Sequence, residues 1–131
     1  MPAVTAMLEQ PPPTAVPVRP LRILHAVRAP VGGIFRHILD VAEGQIAAGH
    51  AVGILADSLT GGSRAAAALA AIAPRLALGT YRLPIRRDPN PLDAIAWLRF
   101  RRLVRRLAPD VAHGHGAQAG AFVRLLKAQP G

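Results

Sequence analysis

A short apolar run, a proline-glycine turn and an amphipathic stretch follow one another without a break between Arg22 and Val52, and few folds accept that order. Ile23, Leu24, Ala26 and Val27 make a nearly continuous apolar strand over 22–27, of the kind buried on both faces of a parallel sheet. Pro30 turns the residue before it away from helix, and Gly32 and Gly33 let the backbone bend with no Cβ in the way. Ile34, Ile38, Val41, Ala42, Ile46 and Ala47 then recur at three- and four-residue spacing, which predicts a helix over 33–48 closed by Gly49. A helix that starts in glycine offers free amides at the positive end of its dipole, a setting that suits phosphate. The glycine pair serves a tight turn or a ligand contact, since either use requires missing side chains. It falls short of GxGxxG spacing, and Asp57 is the nearest candidate for the acidic residue expected about twenty positions on.

The same grammar repeats to the end of the chain. Strands are predicted at 51–56, 77–84 and 111–115, and helices within 63–73 and over 92–107 and 117–128, with a proline-broken basic loop at 84–91. Alternation with short connections predicts an α/β, Rossmann-like parallel sheet with helices on both faces. Ligands in such sheets bind at the carboxyl ends of the strands, where Gly32, Gly33, Asp57 and His115 all fall. The 131 residues suit one domain, expected over 21–131. The six prolines among residues 1–20 predict a disordered leader with no compact apolar core of a secretory signal. Cysteine is absent, which excludes disulfides, thiolate metal sites and thiol catalysis. No run approaches the roughly 18 apolar residues of a membrane span.

Sixteen basic residues against seven acidic ones give a net charge of +9, and fifteen of the sixteen are arginine. Such a charge suits phosphates, anionic lipid or nucleic acid, and an arginine-rich, alanine-rich composition also follows from a GC-rich genome. On the predicted long helix Leu92, Ala96, Phe100, Leu103, Val104 and Leu107 share one face, while Arg101, Arg102, Arg105 and Arg106 take the other with Arg99 at the boundary. That arginine face is a solvated surface or, next to Arg82, Arg86 and Arg87, a peripheral contact for anionic headgroups. Five aromatic residues with no stacking platform, no helix-turn-helix and no zinc pattern speak against nucleic acid. Ser58 and Ser63 lack the spacing of a nucleophile elbow.

The strand at 111–115 emerges from Pro109 and Asp110 and ends in His113-Gly114-His115-Gly116. His113 and His115 point to one side, His115 at the sheet edge and His113 one pleat deeper. His113 reads as a satisfied, buried polar residue; His115 is open to structural hydrogen bonding or ligand contact. No metal is expected, because this i, i+2 pair lacks a third ligand of persuasive spacing.

Taken in order, the strand with Gly32-Gly33 and Arg36-His37, the Ala48-Gly49-His50-Ala51-Val52 entry to the second strand and the Pro109-Asp110-Val111-Ala112-His113-Gly114-His115-Gly116 segment resemble the amino-terminal half of family 4 glycosyltransferases of the GT-B fold. The resemblance implies an incomplete first half of that fold and retaining, metal-independent transfer of a sugar from a nucleotide-sugar to a glycan or lipid-linked acceptor. Gly32 and Gly33 would lie against the donor diphosphate or sugar, His115 would touch the sugar, and Arg36, His37 and Asp57 would face the acceptor-side cleft. Phe35 departs from the acidic residue common in relatives, and Gly44 in mid-helix suggests close packing on the sheet. The second, nucleotide-binding domain with its paired glutamates is not expected here, since the only glutamates are Glu9 and Glu43. The chain alone is therefore expected to be inactive. Its setting would be cytoplasmic, with peripheral contact at the inner face of the membrane. A non-catalytic α/β module binding a phosphorylated or glycan ligand is the alternative.

Overall fold

Residues 23–27 carry apolar side chains with one histidine among them, and with Arg22 they form the inner strand on which the sheet is built. The computed structural model describes residues 19–85, 91–116, 120, 123 and 124. Within it β1 (Arg22–Val27), α1 (Gly32–Ala47), β2 (Ala51–Asp57), α2 (Gly62–Ile72), a 3-10 turn at Ala73–Arg75, β3 (Gly79–Leu83), α3 (Asp93–Leu107) and β4 (Val111–His115) follow in sequence. The four strands are all parallel and lie in the order β3-β2-β1-β4. This is the α/β, Rossmann-like layout the alternation predicts. The predicted residues 1–18, the core of the 84–91 loop and most of the 117–128 helix lie outside the described residues; Gly120, Val123 and Arg124 are helical.

Two apolar layers sandwich the sheet. On one face Val27, Val52, Ile54 and Ala56 meet Phe35, Ile38 and Ala42 of α1 and Ala65, Leu69 and Ile72 of α2. On the other Leu24, Ala26 and Leu55 meet Phe100, Leu103 and Leu107 of α3, together with Val123. The strands alternate between these layers because successive side chains point to opposite faces. Each fully buried aliphatic or aromatic side chain contributes on the order of 1.5–3 kcal/mol.

The inward stripe of α1 differs from the one the periodicity predicts. Phe35, Ile38 and Ala42 are buried, whereas Ile34 is 42 % exposed and Ala47 lies outside. The helix starts one residue earlier, at Gly32, and Phe35 is the larger side chain that its first turn can bury. Gly44 meets nothing within 4 Å, so close packing does not explain it. On α3 the buried set is Ala96, Phe100, Leu103 and Leu107, and Leu92 stands 52 % exposed, one residue before the helix begins.

Polar residues of the sequence motifs fasten the strands. Gly49, at φ +92°, closes α1, its N–H donating to the Ile46 carbonyl while that of His50 donates to Gln45. His50 Nδ1 accepts the Leu21 amide at 3.0 Å, which starts β1 beside β2. Asp110 Oδ2 accepts the Arg22 amide at 2.9 Å, and the Asp110 amide donates to the Arg22 carbonyl at 2.7 Å. That exchange sets the β1–β4 register, in which His25 pairs with His113 and Val27 with His115. The Arg22 guanidinium donates twice to the Leu107 carbonyl, at 2.9 and 2.7 Å, and satisfies the end of α3.

Candidate functional site

The chain runs outward from β1 through β2 to β3 and then returns to the far side of β1 as β4. Strand order therefore reverses between β1 and β4, and the crevice beyond their carboxyl ends is where open α/β sheets take ligands. The turn containing Gly32 and Gly33 leaves β1 at this crevice, and His115 ends β4 beside it.

One wall of the site is the start of α1. Val31 precedes the helix in extended backbone and supplies no side-chain cap, so the first-turn amides have no capping side chain. Gly32 adopts φ +64°, in the left-handed region that glycine enters at little cost. Gly32 and Gly33 are exposed, and a Cβ built on either meets nothing within 4 Å. A 340 Å³ cavity beside the turn is lined by Pro30, Gly32, Phe35 and Gly61 with two basic residues, Arg36 and Arg64. Uncapped amides, the dipole and two guanidinium groups give this wall a positive field suited to a phosphate ester.

A buried histidine chain links β1 and β4. His25, on β1, is 1 % exposed, with Nε2 at 2.8 Å from Gln45 Oε1 and Nδ1 at 3.0 Å from His115 Nε2. Facing that carbonyl oxygen, His25 Nε2 carries its proton and Nδ1 keeps its lone pair. His115 therefore donates its Nε2–H to His25, and its Nδ1 remains an acceptor. Burial, opposed by the Gln45 hydrogen bond, holds the His25 imidazole below its usual range, and His113 and His37 add to the lowering. His115 is pushed down to about 4, by burial first and then by His113, His25 and His37. Both rings are neutral at pH 7. The His113 ring stacks on His115 with centroids 3.9 Å apart.

Gly32 and Arg36 line one cavity at the start of α1, with Gly33 in the same turn, and His37 of α1 is near enough to His25 and His115 to lower both. Arg36 is exposed and pairs with Asp40 at 3.4 Å. His113 is exposed, not buried as its deeper pleat suggests, because β4 is the outer strand and the α1 and α2 layer packs on β1 and β2. Asp57 is fully buried, and its carboxylate accepts from the Thr60 hydroxyl and the Ile85 amide, so it braces the fold in place of facing a cleft. His25, Gln45 and Arg64 are missing from the sequence-level set. The single polar residue in the β1 run was the available signal for His25; the partner needed to interpret it lies 90 positions away.

On the opposite face of the sheet a 480 Å³ cavity is lined by Tyr81, Leu83 and Leu103 with Arg82, Arg99, Arg102 and Arg106. Ile95 and Leu98, on the same helix, are each 51 % exposed. No helix among the described residues is long and apolar enough to cross a membrane.

A family model for a glycosyl transferase 4-like domain matches residues 32–131, from the start of α1 through both histidines of β4 and beyond. No curated protein and no solved structure matches the chain.

Proposed function

The chain belongs to the glycosyl transferase 4-like family, and from that membership we propose that it is the acceptor-side, amino-terminal domain of a retaining glycosyltransferase. The observation that supports this reading is that an uncapped glycine helix start follows β1 and a buried histidine ends the neighbouring β4, the two strands between which the strand order reverses. When the bond from the anomeric carbon to the diphosphate oxygen breaks, negative charge grows on the diphosphate. Fixed amides at Gly32 and Gly33, with Arg36 and Arg64 lining the cavity beside Gly32, would stabilise that charge without reorganisation. His115 accepts a sugar hydroxyl through Nδ1, held in that tautomer by Gln45 and His25. In this reading the diphosphate needs no metal ion. The nucleotide is held mainly by a second domain, so the 131 residues bind a nucleotide-sugar weakly and do not transfer it.

Replacing Gly33 by valine tests the reading. The position has no left-handed φ and open space around its Cβ, so valine leaves the fold intact and slightly favours helix. Amide chemical-shift titration with uridine and guanosine diphosphate sugars is expected to show weak binding by the parent chain, no transfer, and at least tenfold weaker binding by Gly33→Val. Unchanged affinity in a folded variant, or sugar transfer by the chain alone, defeats the proposal.

The acceptor side carries a second element of this reading, contact with an anionic membrane surface on the cytoplasmic side. Ile95 and Leu98 stand exposed beside Arg99 and Arg102 on α3, the composition of a helix that rests at a headgroup boundary. Each arginine near such a surface contributes about 1 kcal/mol, so Arg102→Gln with Arg106→Gln is expected to weaken binding to phosphatidylserine vesicles about 30-fold. Equal binding to neutral phosphatidylcholine vesicles would count against it.

A further inference from the structure

We propose that His25, His113 and His115 form a binding site for a divalent transition metal of the zinc class, with a fourth position open to water. One ligand nitrogen from each histidine lies within 4.8 Å of the others. His25 Nδ1 and His115 Nε2 already face each other at 3.0 Å. Two imidazole nitrogens on a tetrahedral zinc at 2.0–2.1 Å stand about 3.3 Å apart, so a small outward shift of this pair admits the ion between them. His113 closes the third position by turning its exposed ring, which is stacked beside His115.

The supporting shell is built. His25 donates its remote Nε2–H to Gln45 Oε1 at 2.8 Å, the outer hydrogen bond that orients a ligating histidine and fixes which nitrogen faces the ion. Entry of the metal moves the proton of His115 from Nε2 to Nδ1, so both facing nitrogens offer lone pairs and no net charge is removed from the protein. Three imidazoles with no thiolate or carboxylate among them match zinc, nickel, cobalt or copper and do not match calcium or magnesium. The β1–β4 register makes the arrangement rigid, because it sets His25 directly beside His113 and leaves His115 two residues on. The ion would join the outer strand to the inner one at the crevice edge, apart from the diphosphate wall. This inference does not depend on sugar transfer; with the ion bound, His115 Nδ1 carries the proton and donates to a ligand hydroxyl in place of accepting from it.

The test uses the whole chain without an affinity tag, stripped with chelator. Calorimetric titration with zinc chloride is expected to give one site per chain, and zinc is expected to raise the melting temperature. Replacement by cobalt should give the intense visible bands of a four-coordinate ion. His113→Ala removes an exposed ligand without opening a core cavity and is expected to weaken binding at least tenfold. Gln45→Leu should lower affinity by about 10–100-fold through loss of the outer hydrogen bond. His37→Ala, a nearby histidine outside the triad, should bind as the parent does. Absence of stoichiometric zinc binding overturns the proposal, and so does His113→Ala binding zinc as tightly as the parent while folded by circular dichroism.

Discussion

Replacing Asp57 by alanine is expected to destabilise the chain by about 3 kcal/mol, while asparagine costs nearer 1 kcal/mol. Asp57 closes β2 and is fully buried, with Oδ1 accepting the Ile85 amide at 2.8 Å and Oδ2 accepting the Thr60 hydroxyl at 2.7 Å. Its carbonyl oxygen takes the Arg82 guanidinium at 3.1 and 2.7 Å, and that guanidinium reaches on to the Thr60 carbonyl at 3.0 Å. One residue thus fastens the exit of β3 and the loop into α2 to the end of β2. Alanine leaves the Ile85 amide buried without its acceptor, worth about 1–3 kcal/mol, and opens a small cavity, while the Thr60 hydroxyl keeps the Arg28 carbonyl at 3.1 Å as its acceptor. Asparagine keeps the shape and a carbonyl acceptor for the Ile85 amide; it loses the charge assistance, and its NH2 donates to the Thr60 hydroxyl, which turns its own proton to the Arg28 carbonyl. Urea unfolding should show a lower midpoint at unchanged slope for alanine, with asparagine between it and the parent. A shift below 0.5 kcal/mol for alanine would mean that the carboxylate does not brace the fold, and would return Asp57 to the cleft.

That residue marks where local patterning stops being informative. Strand β1 and strand β4 have the ends that the apolar run and the Pro109-Asp110 entry predict, since strand limits here follow breakers at close range. The glycine turn and the closing Gly49 are equally legible, because backbone bends demand particular residues wherever they occur. Asp57 ends a strand on the ligand-binding edge, and its sequence position reads as cleft-facing. Only the return of the chain at Ile85 buries it, and no periodicity contains that fold-back. His25 is the mirror case. Counting apolar neighbours passes over one histidine in a buried strand, and its meaning depends on the β1–β4 pairing that sets it beside His113. Phe35 reads as a departure from the pattern of the resembled family, yet it is buried among residues of β1, β2 and α2, contacts that a 3.6-residue period does not contain. The sites most dependent on non-local contact, the histidine chain and the Arg36–Arg64 cavity, are accordingly those that the sequence only half reveals.

Gly61→Val is expected to destabilise the fold by about 3 kcal/mol and to abolish ligand binding at the glycine turn, although Gly61 lies outside that turn. Gly61 precedes α2 at φ +89°, in the left-handed region, where a β-branched residue is strained by about 1–3 kcal/mol. A Cβ there would stand 2.5 Å from the Ala65 Cβ, 3.0 Å from the Pro30 Cγ and 3.2 Å from the Pro30 carbonyl oxygen. The Ala65 Cβ is fixed to a helix, and the Pro30 atoms belong to a rigid ring and backbone, so no flexible side-chain end can yield. Relief requires moving Pro30, which leads directly into Val31, Gly32 and Gly33. The cavity that Gly61 shares with Gly32, Arg36 and Arg64 is distorted by the same displacement. Gly33→Val, by contrast, obstructs the turn from within and leaves stability nearly unchanged. Comparing the two by urea unfolding and amide shifts separates the causes: Gly61→Val should move both the unfolding midpoint and the Gly32 and Gly33 amide resonances before any ligand is added. Should Gly61→Val keep the parent's stability and amide spectrum, the close approach of the α2 start to Pro30 would not govern the geometry of the anion wall.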